Sequence, residues 1–181
     1  MVSKQAIEFT ERQYQPLWWI RVPLIIICVI FISLSVLQIA FNKPLWDNPM
    51  DNEMLIFITI FVILFSVLFF VSYLKTHINE EGVYIRYFPF QLKYKYYSWE
   101  SIESAQVIRY NPIKEFGGWG IKTSIFRFKN FRFTYNKNVC YTIYGNKALE
   151  LSIKGGKRVV IGTQLPNILD ETLTKLKKKE G

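Results

Sequence analysis

VPLIIICVIFISLSVLQIAFN at residues 22–42 and MLIFITIFVILFSVLFFVSYL at residues 54–74 decide how this chain is read. Neither run contains Asp, Glu, Lys, Arg, His or Gly, and each supplies about the 20 apolar residues a helix needs to cross a bilayer. A soluble protein would need a polar stripe on each helix, or a far larger core, to bury them. A cleavable signal peptide has an apolar region of about 7–15 residues, whereas here a second run follows the first at once. The expectation is two spanning helices, at residues 17–41 and 54–74.

The flanks agree with the runs. Trp18, Trp19, Trp46 and Tyr73 stand at their edges, where interfacial aromatic anchors collect. Pro23 suits a first helical turn. The connector, residues 42–53, holds Pro44, Asp47, Asn48 and Pro49, so the helices should form an antiparallel hairpin. Lys4, Arg12 and Arg21 precede or open the first run, Lys43 is alone in the connector, and Lys75, Arg86 and Lys93 follow the second. That bias puts both termini in the cytoplasm, with residues 1–16 as a flank and the connector outside. Ser33, Ser35, Gln38, Thr59 and Ser66 are the polar groups available to join the helices, or to line a transport path in a larger oligomer.

Residues 75–181 contain all nine glycines and carry nineteen Lys and Arg against nine Asp and Glu, a net charge of +10. The whole chain, 181 residues with a mean hydropathy of +0.12, carries +9. A basic domain tethered to a membrane has anionic headgroups as its nearest complementary surface. Its pattern is mostly of period two. Strands are expected at 75–79 and 83–88 around Glu80, Glu81 and Gly82, then at 91–97, 104–110, 123–135, 139–144, 148–153 and 158–162. Turns fall at Gly145-Asn146 and Gly155-Gly156, and 111–121 reads as a loop. Strands so short and so many predict a small antiparallel barrel or sandwich. A helix at 166–179 closes the chain, with Ile168, Leu169, Leu173 and Leu176 on one face and a late run of lysines that either ends the helix or grips phosphate.

Three segments suggest a family: SWESIESA at 98–105, EFGGWGIK at 115–122, and ALELSI at 148–153 followed by GGKRVVIGTQLP at 155–166. Together with many short strands and one closing amphipathic helix, they resemble bacterial pleckstrin-homology-like domains. The resemblance spans about residues 75–179, and a helical membrane hairpin before the domain is common in such proteins. It implies a mainly β fold with one C-terminal helix behind a membrane hairpin in a bacterial protein; the cytoplasmic side comes from the Lys and Arg bias. The stretch between Ile121 and Tyr141 is longer, more aromatic and more basic than in similar sequences.

Catalytic constellations are missing from the sequence. His77 is the single histidine, and Cys28 and Cys140 fall on incompatible sides of the membrane boundary, so both should be reduced thiols. There is no Gly-x-Ser-x-Gly, Walker loop or Rossmann fingerprint, and no cofactor or metal is expected. Gly117-Gly118-Trp119-Gly120 is either an anion nest or a sharp turn with an aromatic plug. In FRFKNFRFTY at 126–135 the aromatics and the cations alternate, with Asn130 shifting the phase. That hairpin is either barrel core or a surface placing Arg127, Lys129 and Arg132 against headgroups, with Lys93 and Lys95 as a second group. The function expected is headgroup contact, capture of a protein partner, or both; an enzyme acting on a membrane substrate is a third reading with no supporting constellation, and nucleic acid is disfavoured by the tether and by the lack of a reading motif.

Overall fold

The computed structural model describes residues 7–15, 18–129 and 132–180, with side chains at all of these except 123–137, 179 and 180. The chain forms two compact units, one of Pro16–Ser72 and one of Met1–Gln15 together with Tyr73–Gly181.

The first unit is a helical hairpin. Helix α1 (Trp18–Ser35) runs on through a π-helical stretch (Val36–Ala40), giving 23 helical residues, and α2 (Asn52–Val71) has 20. Both are long and apolar enough to cross a membrane. Pro23 lies inside α1, five residues after its start, and not in the first turn. The packing inverts the usual rule. In α2 the buried residues are Leu55, Thr59 and Ser66, while Phe57, Phe61, Leu64 and Phe65 are exposed. Polar atoms fill the seam between the helices. Ser35 Oγ and Thr59 Oγ1 are 2.8 Å apart, and Cys28 Sγ donates to Ser66 Oγ at 3.2 Å. Gln38 Nε2 donates to the Met50 carbonyl at 2.6 Å and to Asn52 Oδ1 at 2.8 Å, tying the end of α1 to the start of α2. Thr59 and Ser66 also donate back to the carbonyls of Leu55 and Val62, so no hydroxyl in the seam is wasted.

Among the described residues the second unit has nine strands in two sheets. Strands β1 (Phe9–Tyr14), β2 (Tyr73–Ile78), β3 (Gly82–Phe88) and β4 (Lys95–Ser98) make an antiparallel sheet in that order. Strands β5 (Ile102–Arg109), β6 (Gly120–Lys129), β7 (Arg132–Thr142), β8 (Lys147–Ile153) and β9 (Lys157–Gly162) make the other, in the order β5-β8-β9-β7-β6. Its β7–β9 pair is parallel, so the sheets are not purely antiparallel as expected.

Strand β1 changes the division of the chain. Residues 1–16 were expected to be a flank, yet Phe9–Tyr14 is a strand whose register on β2 runs from Phe9 opposite Ile78 to Tyr14 opposite Tyr73. Tyr73 and Leu74, counted with the second apolar run, are the first residues of β2. The expected loop at 111–121 contains a short helix, α3 (Pro112–Phe116), started by Asn111, whose Oδ1 accepts from the Ile113 and Lys114 amides.

The larger of two apolar clusters among the described residues draws on both sheets and on α4 (Pro166–Glu180): Phe9, Leu74, Ile85, Leu151, Ile161, Leu169 and Leu173 are among its members, while Tyr110, Cys140, Ala148 and Val160 form the other. Leu169, Leu173 and Leu176 pack as the helical spacing requires, but Ile168 is exposed and Thr172 takes the remaining buried position. Turn chemistry fixes the β2–β3 hairpin, where Asn79 Oδ1 accepts from the amides of Glu81 and Gly82. At Gly82 a Cβ would stand 2.2 Å from the Tyr97 carbonyl, so β4 can approach only a glycine.

Polar groups on the inner face of β1 lock it to the far end of the chain. Gln13 Nε2 donates to the Gly162 carbonyl at 2.5 Å. The Glu11 carboxylate accepts from Thr163 Oγ1 and from the Gln164 amide, each at 2.7 Å. Burial pushes the Glu11 carboxyl above its ordinary 4.5, against the lowering effect of these hydrogen bonds.

Two expectations follow. Thr59→Val should weaken the helical hairpin by about 0.6 kcal/mol, read as detergent unfolding of the full chain; an unchanged transition would remove the hydroxyl seam from its stability. Because the folded pKa of Glu11 is raised, its stabilising contribution is complete below 4.5 and is lost as pH rises through the raised value. Unfolding of wild type and Glu11→Gln across that window should therefore show wild type losing ground with rising pH, and a constant difference would contradict the burial argument.

Candidate functional site

The outward face of the four-stranded sheet carries the densest arrangement of charge and aromatic rings among the described residues. Alternation turns Thr10, Arg12 and Tyr14 of β1 outward, as Phe9, Glu11 and Gln13 turn inward. The register then builds three rows across β1, β2 and β3. Tyr14, Tyr73 and Phe88 form one row, Arg12, Lys75 and Arg86 the next, and Thr10, His77 and Tyr84 the third, which Tyr96 of β4 extends.

The middle row sets three cations directly opposite one another, an arrangement that costs free energy in a sheet. None has a carboxylate partner among the described residues; the rings around them supply the compensation. Arg12 Cζ lies 3.8 Å from the Tyr73 ring centre and 4.9 Å from that of Tyr14. Arg86 Cζ lies 4.7 Å from the Tyr94 ring and 5.7 Å from the Tyr73 ring, and its Nη2 donates to Tyr73 Oη at 2.8 Å. Lys75 Nζ is 5.9 Å from the Tyr94 ring. Each such contact contributes about 0.5–1 kcal/mol at an exposed site. Arg86 Nε is buried and has no hydrogen-bond partner.

The third row is better balanced. His77 Nδ1 is 2.9 Å from Thr10 Oγ1 and 3.3 Å from Glu8 Oε1, and the ring lies 5.7 Å from that of Tyr84. Tyr84 donates to Glu81 Oε2 at 2.7 Å; this hydrogen bond, more than its slight burial, pushes the phenol up to about 12. Glu8, Thr10, Lys75, His77, Tyr84 and Tyr94 line a shallow cavity of about 300 Å³ over this part of the face.

No protein-family model matches the chain, and no curated protein is similar to it.

The residues expected to meet headgroups fall in two places, at the start of β4 and in the β6–β7 hairpin. Lys93 is exposed in the turn before β4. Lys95 is drawn inward, donating from Nζ to Tyr141 Oη at 3.1 Å. Arg127, Lys129 and Arg132 belong to the β6–β7 hairpin, where Lys129 pairs with Arg132 and Arg127 with Thr134, but their side chains lie outside the described residues. Of the interfacial anchors, Trp18, Trp19 and Trp46 are exposed in the hairpin unit, whereas Tyr73 is only 9% exposed, covered by its neighbours in the aromatic row. The glycine cluster takes the second of its two readings. The amides of Gly117 and Gly118 donate to the carbonyls of Ile113 and Pro112, closing α3 with Gly117 at φ +72°. Trp119 is then the plug, stacked 6.2 Å from Tyr144 with its Nε1 on the Gly145 carbonyl at 3.4 Å.

A second concavity, about 760 Å³, opens beside that plug and is lined by Arg109, Tyr110, Ile113, Trp119 and Tyr144 among others. The edge of β5 by α4 is closed off, since Lys177 Nζ donates to the Ala105 carbonyl at 3.2 Å. Cys140 is fully buried and burial pushes its thiol up to about 12, which leaves it protonated and unreactive. Among the described residues no three His, Cys, Asp or Glu side chains gather as metal ligands.

Sequence reasoning did single out Arg12, Lys75 and Arg86, but as charges that orient the helices. What it missed was that β1 brings the first beside the other two. If their opposition carries a cost, Lys75→Met should raise the unfolding temperature of the full chain at low salt, by about 0.5 kcal/mol of stability, with the gain shrinking as salt is added. A destabilised Lys75→Met would mean that the cation is structural.

Proposed function

We propose that this chain is a two-span membrane protein whose basic β domain lies on the cytoplasmic side and contacts anionic lipid headgroups, without catalysing a reaction. The observation that carries the membrane part is the inverted hairpin: hydroxyls in the seam and Phe, Ile and Leu on the outside suit hydrocarbon and not water. The pairing of Tyr14 with Tyr73 supports a common side for both ends of the hairpin, and the Lys and Arg bias favours the cytoplasm.

Headgroup contact is supported by the unpaired cations Arg12, Lys75 and Arg86 and by the +10 charge of residues 75–181. Short connections strengthen it: only residues 15–17 separate β1 from α1, and Ser72 alone separates α2 from β2. Tethers of that length keep the effective headgroup concentration high for the domain. A pleckstrin-homology-like ancestry in the bacterial cytoplasmic membrane is part of the same proposal, resting on the three sequence segments and on a β domain closed by a C-terminal helix.

A protein partner is a second reading, favoured by the cleft in which Ile113 and Tyr144 are exposed beside Trp119.

Reconstituting the full chain with photoactivatable phosphatidylglycerol or phosphatidylcholine tests the main reading. Labelling of the β domain should favour the anionic lipid, and the preference should fade with salt. Equal labelling by both lipids at low salt would end the headgroup reading and turn attention to the cleft.

A further inference from the structure

We propose that Arg12, Lys75 and Arg86 form a seat for the phosphodiester of an anionic phospholipid headgroup, a reading that rests on the membrane function above and gives it an address. Three features of the row converge on an oxyanion.

The first is unmet charge. The cations stand directly opposite one another on β1, β2 and β3, and no described carboxylate neutralises them. The domain has acids to spare elsewhere: Arg158 is paired with Glu150 and lies 3.5 Å from Glu115.

The second is the supply of donors. Arg12 and Arg86 lie over the rings of Tyr73 and Tyr94, and a ring contact leaves a guanidinium N–H groups that an oxygen acceptor can still take. The fork geometry of those donors matches two oxygens of a phosphate.

The third is the order of the rows. Along β1 and β2, counted away from the helices, come Tyr14 with Tyr73, then Arg12 with Lys75, then Thr10 with His77. In chain order the aromatic pair is the one nearest the apolar helices, with Ser72 alone between α2 and Tyr73, and the cation pair follows two residues further on, so a lipid whose acyl chains meet the helices has its phosphate within a few residues of the cations. This sequence commits the seat to a lipid and not to a free anion, which would gain nothing from the aromatic row.

The test uses the full chain in nanodiscs of equimolar phosphatidylglycerol and phosphatidylcholine, followed by mild detergent extraction and native mass spectrometry of the retained lipid. Wild type should retain phosphatidylglycerol selectively. Lys75→Gln, which removes the ammonium 5.9 Å from the Tyr94 ring, should lower that enrichment about fivefold, and the triple variant with Arg12→Gln and Arg86→Gln should abolish it. Lys154→Gln, exposed in the β8–β9 turn, should leave it unchanged. Selective retention that survives in Lys75→Gln overturns the seat and leaves the headgroup reading standing. No selectivity in wild type overturns both. Displacement of the lipid by excess inorganic phosphate would give the row to a free oxyanion and overturn the lipid assignment.

Discussion

The pairing of β1 with β2 is the constraint on which the rest depends. These strands lie on either side of the helical hairpin in sequence, and their six-residue register joins the segment before the hairpin to the segment after it. Closing a long loop costs conformational entropy, but the cost grows only slowly with length and is smaller when the intervening chain is already folded. The 57 residues of Pro16–Ser72 form their own compact hairpin, so the closure joins two ends of an ordered element. From this pairing follow the seating of Phe9 in the core, the reach of Glu11 and Gln13 to the β9–α4 connection, and the alignment of Arg12 with Lys75.

Charge in the β domain is sorted by use. Lys95 turns inward to a tyrosine, Lys177 caps a strand edge, and Arg158 is held by carboxylates. On the outward face of the four-stranded sheet the row of three cations has no carboxylate partner among the described residues and is held by rings instead. Rings stabilise a cation without cancelling its charge, so the face keeps its field while losing some of the strain of like charges in register. A protein selecting for stability alone would place an acid or an aliphatic side chain at Lys75. Retaining the cation there is the kind of local cost that binding surfaces carry.

Much of the fold was legible because the physical signals were strong. Two uninterrupted apolar runs admit few structures other than long apolar helices, and β8 announced itself by Leu149, Leu151 and Ile153 at every second position between the turns at Gly145-Asn146 and Gly155-Gly156. Strand β1 was hidden for a definite reason: FTERQY puts Glu11 and Gln13 at its inward positions, so the apolar period of two is broken where buried polar side chains meet the Thr163 hydroxyl, the Gln164 amide and the Gly162 carbonyl. Tyr73 and Leu74 were misassigned because hydropathy alone cannot separate the last apolar residue of a helix from the first of a buried strand. The cation row was visible in composition but not in place, since the opposition of Arg12 to Lys75 is a long-range contact that no local pattern encodes. Ile168 shows the reverse error, an apolar residue at a plausible helical position whose place in the core Thr172 takes instead.

The position of β1 also bears on how the molecule is made. As the ribosome releases the chain, β1 emerges before either helix, and its partner Tyr73 follows only after the whole hairpin has been synthesised. At about 5–20 residues per second, the first strand waits several seconds with its edge unpaired. Its composition suits that interval: Thr10, Glu11, Arg12 and Gln13 make FTERQY a poor aggregating segment, one that stays solvated until β2 arrives. The polar residues that hide the strand from sequence analysis thus also protect it while it waits.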